Sequence, residues 1–285
     1  MISLLEVLQK SAGFLESKGV EHARLNAELL IGHALGLKRM QLYMEFERLL
    51  PEAELELIRP MVRRRAQREP LQHIIGSVEF GDVELKVDSR ALIPRPETEY
   101  LVELLRTEYA TTPPDYFADL GTGSGALALA LAHAWPDAKA VALDVSAEAL
   151  ALATENREAL GLTERVEMLE SDWFSAMPDD SRFGLIVANP PYLTTAEVAA
   201  TAPEVKDHEP AVALSTASDG MDAFEVIISH AATYLLPDGL LAMEAGIAQH
   251  AMLVAKLEQA GFDRVESRQD LTGRDRFVFA RMPSA

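Results

Sequence analysis

The chain has 285 residues, 48 % hydrophobic and 25 % charged, which suits an ordinary globular protein with one large core or two cores and excludes a disordered chain. A formal net charge of -19 excludes tight nonspecific nucleic-acid binding as the main activity, because phosphate contacts need a basic surface. The absence of cysteine excludes disulfides and thiolate metal sites, and no apolar run approaches the ~18 residues of a membrane span.

The stretch from Met1 to Lys18 alternates apolar and charged residues at helical spacing and lacks the basic start and apolar run of a signal peptide, so a cytoplasmic location is expected. Residues 1–70 hold 11 Lys/Arg against 10 Asp/Glu, leaving 15 against 35 for the remainder, which predicts a neutral and an acidic domain. The neutral part reads as helices only. Leu4, Val7, Leu8 and Leu15, then Leu30, Ala34 and Leu37, then Leu55, Ile58, Val62 and Ala66 recur at roughly helical spacing, punctuated by Gly19, Gly36 and Pro51. Pro60 falls inside the last helix and predicts a kink or a later start. Arg63, Arg64, Arg65 and Arg68 read as a solvated face at a helix C-terminus, where the dipole favours cations, with a nucleic-acid patch as the alternative. From Ser77 to Asp88 short alternating stretches flank Gly81-Asp82, as in a β-hairpin. The expected organisation is a small all-α bundle over 1–72, a hairpin linker over 73–93 and a second domain over 94–285.

In the second domain Tyr116–Asp119, Ala140–Asp144, Val166–Glu170, Phe183–Ala188 and Leu240–Glu244 are apolar runs, most of them separated by helix-like segments, which predicts βαβ units and a mainly parallel sheet. Arg264–Ser267 and Arg276–Arg281 are joined by too few residues for a crossover helix, so this last pair is expected to be antiparallel. An α/β doubly wound sheet that closes in an antiparallel C-terminal hairpin is the class I methyltransferase variant rather than the all-parallel dehydrogenase form.

The first strand of that sheet runs into Asp119-Leu120-Gly121-Thr122-Gly123-Ser124-Gly125 and then an Ala/Leu helix. Glycines there let the backbone turn tightly and approach a ligand beside a helix N-terminus. Read as Gly121-x-Gly123-x-x-Ala126, the turn also satisfies the dinucleotide fingerprint, and Asp144, about twenty residues on, suits the ribose of either NAD or S-adenosylmethionine. The alternative for Asp144 is a cap on the helix that begins at Ser146-Ala147-Glu148. Asp172 and Trp173 follow the third strand, where adenine would lie, and Trp173 could edge the ring or belong to the core.

The fourth strand ends in Asn189-Pro190-Pro191-Tyr192, at the carboxyl end where such sheets bind ligands. An amide nitrogen is a poor nucleophile, since its lone pair is delocalised into the carbonyl, so it must be held in line with an electrophile while charge grows on it. The Asn189 side-chain oxygen and a backbone carbonyl beside Pro190, which has no N–H, can each accept one amide hydrogen, while Tyr192 offers a flat face to a planar group.

Asn189 to Tyr192 resembles the motif of methyltransferases acting on planar nitrogens, adenine-N6 and protein-glutamine N5 enzymes included. Further stretches resemble the peptide chain release factor glutamine methyltransferase family: Ala23 to Leu30, Pro70 to Gly76, Leu92 to Glu99, Glu209-Pro210, Glu244-x-Gly246 and Asp270-x-x-Gly273-Arg274-Asp275-Arg276. The resemblance spans essentially the whole chain. It implies methyl transfer from S-adenosyl-L-methionine, with S-adenosyl-L-homocysteine as product, to the glutamine of the Gly-Gly-Gln motif of class 1 release factors, with the helical domain recognising that protein substrate. Gly121, Thr122, Gly123, Ser124, Gly125, Asp144, Trp173 and Asn189 would then contact the cofactor, and Asn189, Pro190, Pro191 and Tyr192 would hold the glutamine amide. No metal, membrane or direct nucleic-acid partner is implied. Gly81-Asp82 after Phe80 departs from the bulky aromatic that members often carry. Family members acting on a ribosomal-protein glutamine share the four-residue motif; Ala23 to Leu30 favour the release-factor branch. The competing readings are a nucleic-acid adenine or small-molecule methyltransferase, an NAD(P)-dependent dehydrogenase, which leaves Asn189 to Tyr192 unexplained, and a non-catalytic binding module.

Overall fold

The structure, a computed structural model, describes residues 2–216 and 220–285; Met1, where the reading of the amino terminus starts, lies outside them. It forms two compact units, the chain up to Ser77 together with Ala202–His208, and Val78–Thr201 together with Glu209–Ala285.

The first unit runs β1 (Ile2–Ser3), α1 (Leu4–Ser17), α2 (Ala23–Leu35), α3 (Arg39–Met44), β2 (Leu49–Leu50), α4 (Glu52–Ala66) and α5 (Leu71–Ile75). It is not purely helical, because β1 and β2 pair antiparallel through Ile2 with Leu50 and Ser3 with Leu49. The periodic residues do make its core: Leu4, Leu8 and Leu15 pack with Leu30, Ile31, Leu42, Ile58 and Val62. Ser3 caps α1 by accepting from the Glu6 N–H, and Gly36 ends α2 in left-handed backbone. α4 does not start later than its periodicity implies. Pro60 is exposed within one continuous helix, while Leu55, Ile58 and Val62 are buried on its core side, so packing outweighs the hydrogen bond that proline cannot donate.

The arginine run is not a solvated face throughout. Arg65 is only 6 % exposed. Its guanidinium donates to Asn26 Oδ1 at 2.7 Å, to the Glu69 carbonyl at 3.1 Å and to Glu204 Oε1 at 2.7 Å. Arg68 holds both oxygens of the same Glu204, at 2.8 and 2.7 Å, and Arg64 pairs with Glu69. The two arginines pull the Glu204 carboxyl down to about 2, against the desolvation that would raise it. These cations neutralise carboxylates within the unit and so are not free for phosphates.

The hairpin of β3 (Ser77–Phe80) and β4 (Val83–Lys86) belongs to the second unit from Val78 on, with Gly81 and Asp82 both at positive φ, 53° and 67°. That is the backbone a two-residue hairpin turn requires. A Cβ at Gly81 would stand 2.9 Å from the Ala130 Cβ, so a bulky aromatic has no room there. α6 (Pro96–Glu108), β5 (Tyr116–Leu120), α7 (Ala126–Ala134), β6 (Lys139–Asp144), α8 (Ala147–Ala159), β7 (Val166–Glu170) and β8 (Phe183–Ala188) follow. Then come α9 (Thr195–Ala200), α10 (Pro203–Lys206) in the first unit, α11 (Asp222–Tyr234), β9 (Leu235–Glu244), α12 (His250–Gln259), β10 (Asp263–Gln269) and β11 (Asp275–Arg281).

The seven-stranded sheet has the order β10-β11-β9-β8-β5-β6-β7. β5 to β9 are mutually parallel, and β11 lies antiparallel between β9 and β10, as the short connection demands. Alternate residues feed opposite faces. Phe117, Ala140, Ala142, Leu185, Val187, Phe277 and Phe279 join one apolar cluster with α6 and α7, whereas Ala118, Val141, Leu143, Ile186, Ala188 and Val278 join another with α11 and α12. Burial on both faces is why these strands read as unbroken apolar runs.

Candidate active site

Four parallel strands end around one cavity of about 510 Å³, a size suited to a small molecule. Gly121 follows β5, Asp144 ends β6, Ser171, Asp172 and Trp173 follow β7 and Asn189 follows β8, and all of them line it. The strand order reverses between β5 and β8, so the cavity occupies the switch point where doubly wound sheets bind ligands.

The turn from β5 into α7 is left-handed at φ 71° for Gly121, 57° for Gly123 and 85° for Gly125. A Cβ at Gly125 would lie 2.8 Å from Leu129, and one at Gly121 would stand 3.7 Å from the Trp173 ring. Gly121 and Gly123 therefore present bare backbone to the cavity. Thr122, Ser124 and Gly125 do not line it; they brace the turn. Thr122 donates from its N–H to the Leu143 carbonyl at 2.8 Å and from its hydroxyl to Asp119 Oδ2 at 2.6 Å, while the Ser124 carbonyl accepts from Asn156 Nδ2 at 2.9 Å.

Asp119 is enclosed, and its Oδ1 has no hydrogen-bond partner. Burial pushes its carboxyl up to about 7, opposed by the Thr122 hydroxyl and the Ala128 N–H. An unfolded aspartate ionises near pH ~4, so between about pH 4 and 7 the unfolded chain has lost a proton that the folded one keeps. The stability this group lends is thus complete below that window and is lost as pH rises through it, at up to about 1.4 kcal/mol per pH unit. Asp119→Asn is expected to remove this descent, which chemical denaturation at a series of pH values would read as a flatter stability profile. Equal slopes in both proteins would show that Asp119 ionises normally.

Asp144 accepts from the Gly123 N–H at 2.8 Å through Oδ2 and from the Ser146 N–H at 2.9 Å through Oδ1, so its carboxylate ties the glycine turn to the start of α8. The cap of α8 is the Ser146 hydroxyl, which accepts from the Ala149 N–H. Burial raises the Asp144 carboxyl, opposed by the N–H groups of Ser146, Gly123 and Val145. Asp144 lines the cavity, and an ionised carboxylate there offers acceptor oxygens of the kind that fit sugar hydroxyls. Trp173, at φ 51°, packs against the second core cluster and also lines the cavity. Bare glycine backbone, an acceptor carboxylate and an aromatic edge together fit the adenosine moiety of a cofactor.

Of the Asn189 to Tyr192 segment, Asn189 and Pro191 line the cavity, whereas Pro190 and Tyr192 do not. Asn189 Nδ2 donates to Thr98 Oγ1 at 3.0 Å, the Thr98 hydroxyl donates to Glu244 Oε2 at 2.7 Å, and the Tyr192 hydroxyl donates to Glu244 Oε1 at 3.1 Å. Desolvation raises both Glu244 and Tyr192. Gln249 clamps the same segment: its Nε2 donates to the carbonyls of Tyr192 at 3.0 Å and Gly220 at 2.9 Å, and its Oε1 accepts from the Gly246 N–H. Arg95 pairs with the buried Glu209, next to the cavity-lining Pro210. Sequence alone assigns no role to Thr98, Glu244, Gln249 or Arg95. The one signal it carries is that all but Gln249 fall within the resembling stretches.

Residues 6–76 match the model of the PrmC N-terminal domain, and residues 96–205 that of the methyltransferase small domain. The release factor glutamine methyltransferase of Geobacter sulfurreducens is 42 % identical over 98 % of this chain and 97 % of its own length. That of Deinococcus radiodurans is 42 % identical over 98 % of this chain and 99 % of its own. Among solved structures, a 16S rRNA N2 methyltransferase of T. thermophilus, in complex with AdoMet and guanosine, superposes at a TM-score of 0.53 with 22 % identity, covering 72 % of this chain and 49 % of that one, a likeness of fold alone. With relatives this similar along nearly its whole length and both of its units represented among the matched models, the chain belongs to the release factor glutamine methyltransferase family.

Proposed function

We propose that the chain methylates the side-chain amide nitrogen (N5) of the glutamine in the Gly-Gly-Gln motif of class 1 peptide chain release factors, using S-adenosyl-L-methionine, in the cytoplasm. The observation that supports this reading is the placement of Asn189: it lines the cavity, and its Nδ2 donates to Thr98, which leaves Oδ1 at the other end of the amide as an acceptor. When bound, the cofactor supplies an electrophilic methyl group on a sulfonium and departs as S-adenosyl-L-homocysteine.

Asp144 would accept from the ribose hydroxyls, Gly121 and Gly123 would let the backbone approach, with Thr122, Ser124 and Gly125 holding that turn, and Trp173 would border the adenine. Asn189 Oδ1 and a carbonyl beside Pro190 would each take one hydrogen of the substrate NH2, which turns its nitrogen lone pair toward the methyl group and favours pyramidal geometry. Pro191 and Tyr192 would complete the walls against the planar amide. No strong base is needed, because the amide proton becomes acidic once the nitrogen carries the methyl group, and it can pass to water. The domain over 1–72 would grip the release factor, with the hairpin over 73–93 as linker. Among the described residues no helix is long and apolar enough to cross a membrane.

Incubation with labelled S-adenosylmethionine and a purified release factor, followed by mass spectrometry, should place one methyl group on one glutamine. Label found instead in DNA, RNA or a ribosomal protein would overturn the substrate assignment.

A further inference from the structure

An asparagine that must accept from a substrate NH2 group has a weakness: its own NH2 is nearly the same shape as its oxygen, and a half-turn about the last bond would present donors to donors. Something beside it has to distinguish the two ends. We propose that Thr98, through its hydrogen bond to the buried Glu244, is the positioning residue that locks the Asn189 amide with Oδ1 toward the substrate. This rests on the reading of Asn189 as the acceptor for the glutamine amide.

With Glu244 ionised, the hydrogen bonds have only one consistent direction. Glu244, when ionised, can only accept, and its Oε2 takes the single hydrogen of the Thr98 hydroxyl at 2.7 Å. Thr98 is left with lone pairs alone to offer Asn189, so the group facing it at 3.0 Å must be the donor Nδ2. Thr98 is 5 % exposed and Glu244 2 % exposed, which leaves little access for water to take the place of either partner. The second oxygen of Glu244 accepts the Tyr192 hydroxyl at 3.1 Å, and the Arg276 guanidinium lies 3.5 Å from that hydroxyl. One carboxylate thereby sets both ends of the Asn189 to Tyr192 segment. Glu244 is buried, with one oxygen on the Thr98 hydroxyl and the other on the Tyr192 hydroxyl, so it acts through those two side chains.

The same bond also pins the first turn of α6 to the end of β9, and a purely structural role would look similar in a stability assay alone. Thr98→Val keeps the shape and removes the hydroxyl. With release factor as substrate, it is expected to lower kcat about 10- to 100-fold, the scale of leaving buried polar groups unpaired. Affinity for S-adenosylhomocysteine should stay within about 2-fold of wild type, because the glycine turn and Asp144 are untouched. Thr98→Ser should recover most of the loss. Glu244→Gln is the second arm, since an amide there can donate to Thr98 and release its hydrogen to face Asn189; a similar fall in kcat is expected. Wild-type kcat in Thr98→Val or in Glu244→Gln overturns the proposal. So does a parallel loss of kcat, S-adenosylhomocysteine affinity and Tm in Thr98→Val, which would make the contact structural only. An inactive wild type, or a fully active Asn189→Ala, takes the functional reading and this inference down together, whereas an active wild type with a dead Asn189→Ala and a normal Thr98→Val sinks the inference alone.

Discussion

Asn189→Ala is expected to lose about 10²- to 10³-fold in kcat on a release factor, the scale on which one preorganised hydrogen-bonding group acts at a reacting centre. The substitution removes Oδ1, one of the two acceptors proposed to aim the amide nitrogen. It also leaves the Thr98 hydroxyl without its donor from Asn189, while the bond from Thr98 to Glu244 can persist. Most of the affinity for S-adenosylhomocysteine should survive the loss of any contact from Asn189, since the Gly123 N–H and Asp144 hold each other independently of it. Single-turnover methylation with cofactor saturating separates the two effects. If the variant turns over near the wild-type rate, the nitrogen is being aimed by something else, and the mechanism built on Asn189 is wrong.

The legible parts of the molecule are those where one local property decides the outcome. Phe183–Ala188 forms a strand over the limits read from sequence, because a central strand buried on both faces is a nearly uninterrupted apolar run; Val166–Glu170 does so too, although as the edge strand it is only partly buried and carries Glu167 and Glu170. β9 is different: it begins at Leu235, five residues before the apolar run, and takes in Pro237, Asp238 and Gly239. Phe183 pairs with Leu235 and Leu185 with Leu240, so the proline and its neighbours bulge out of the ladder within a strand that resumes in register. What sequence does not carry is the partner brought from far along the chain. A helix dipole alone would leave Arg65 in solvent, but Asn26 and Glu204, 39 and 139 residues away, seat it inside. Thr98 and Glu244 lie 146 residues apart, and neither residue type is unusual where it stands. The two-residue strands β1 and β2 are too short to have a periodicity. The glycine turn, Asp144 and Asn189 are legible because each stands at or just past the end of its own strand, and strand ends meet in a parallel sheet. Their supports come from α6, β9 and Gln249, elements whose adjacency only the fold decides.

Asp144→Ala should weaken S-adenosylhomocysteine binding by about 1.5 to 3 kcal/mol, the range for hydrogen bonds to a charged group. The loss has two sources that a single affinity cannot separate, because the same carboxylate holds the Gly123 and Ser146 N–H groups at 2.8 and 2.9 Å. Removing it frees the glycine turn as well as the proposed ribose contacts. A ligand lacking the ribose hydroxyls resolves them. Wild type should bind the dideoxy analogue more weakly than the parent, whereas Asp144→Ala should bind the two nearly equally, since its missing carboxylate can no longer tell them apart. Calorimetric titration of both proteins with both ligands closes the cycle. Should Asp144→Ala lose affinity yet still discriminate fully against the dideoxy ligand, the carboxylate serves the turn alone and the ribose is held elsewhere. The burial that raises the Asp144 carboxyl works against the charged form these contacts require, so the three N–H groups from Gly123, Val145 and Ser146 must keep it ionised until the sugar arrives. The turn and the cofactor would then depend on the same charge: the backbone donors that order the loop are those that maintain the acceptor for the ribose.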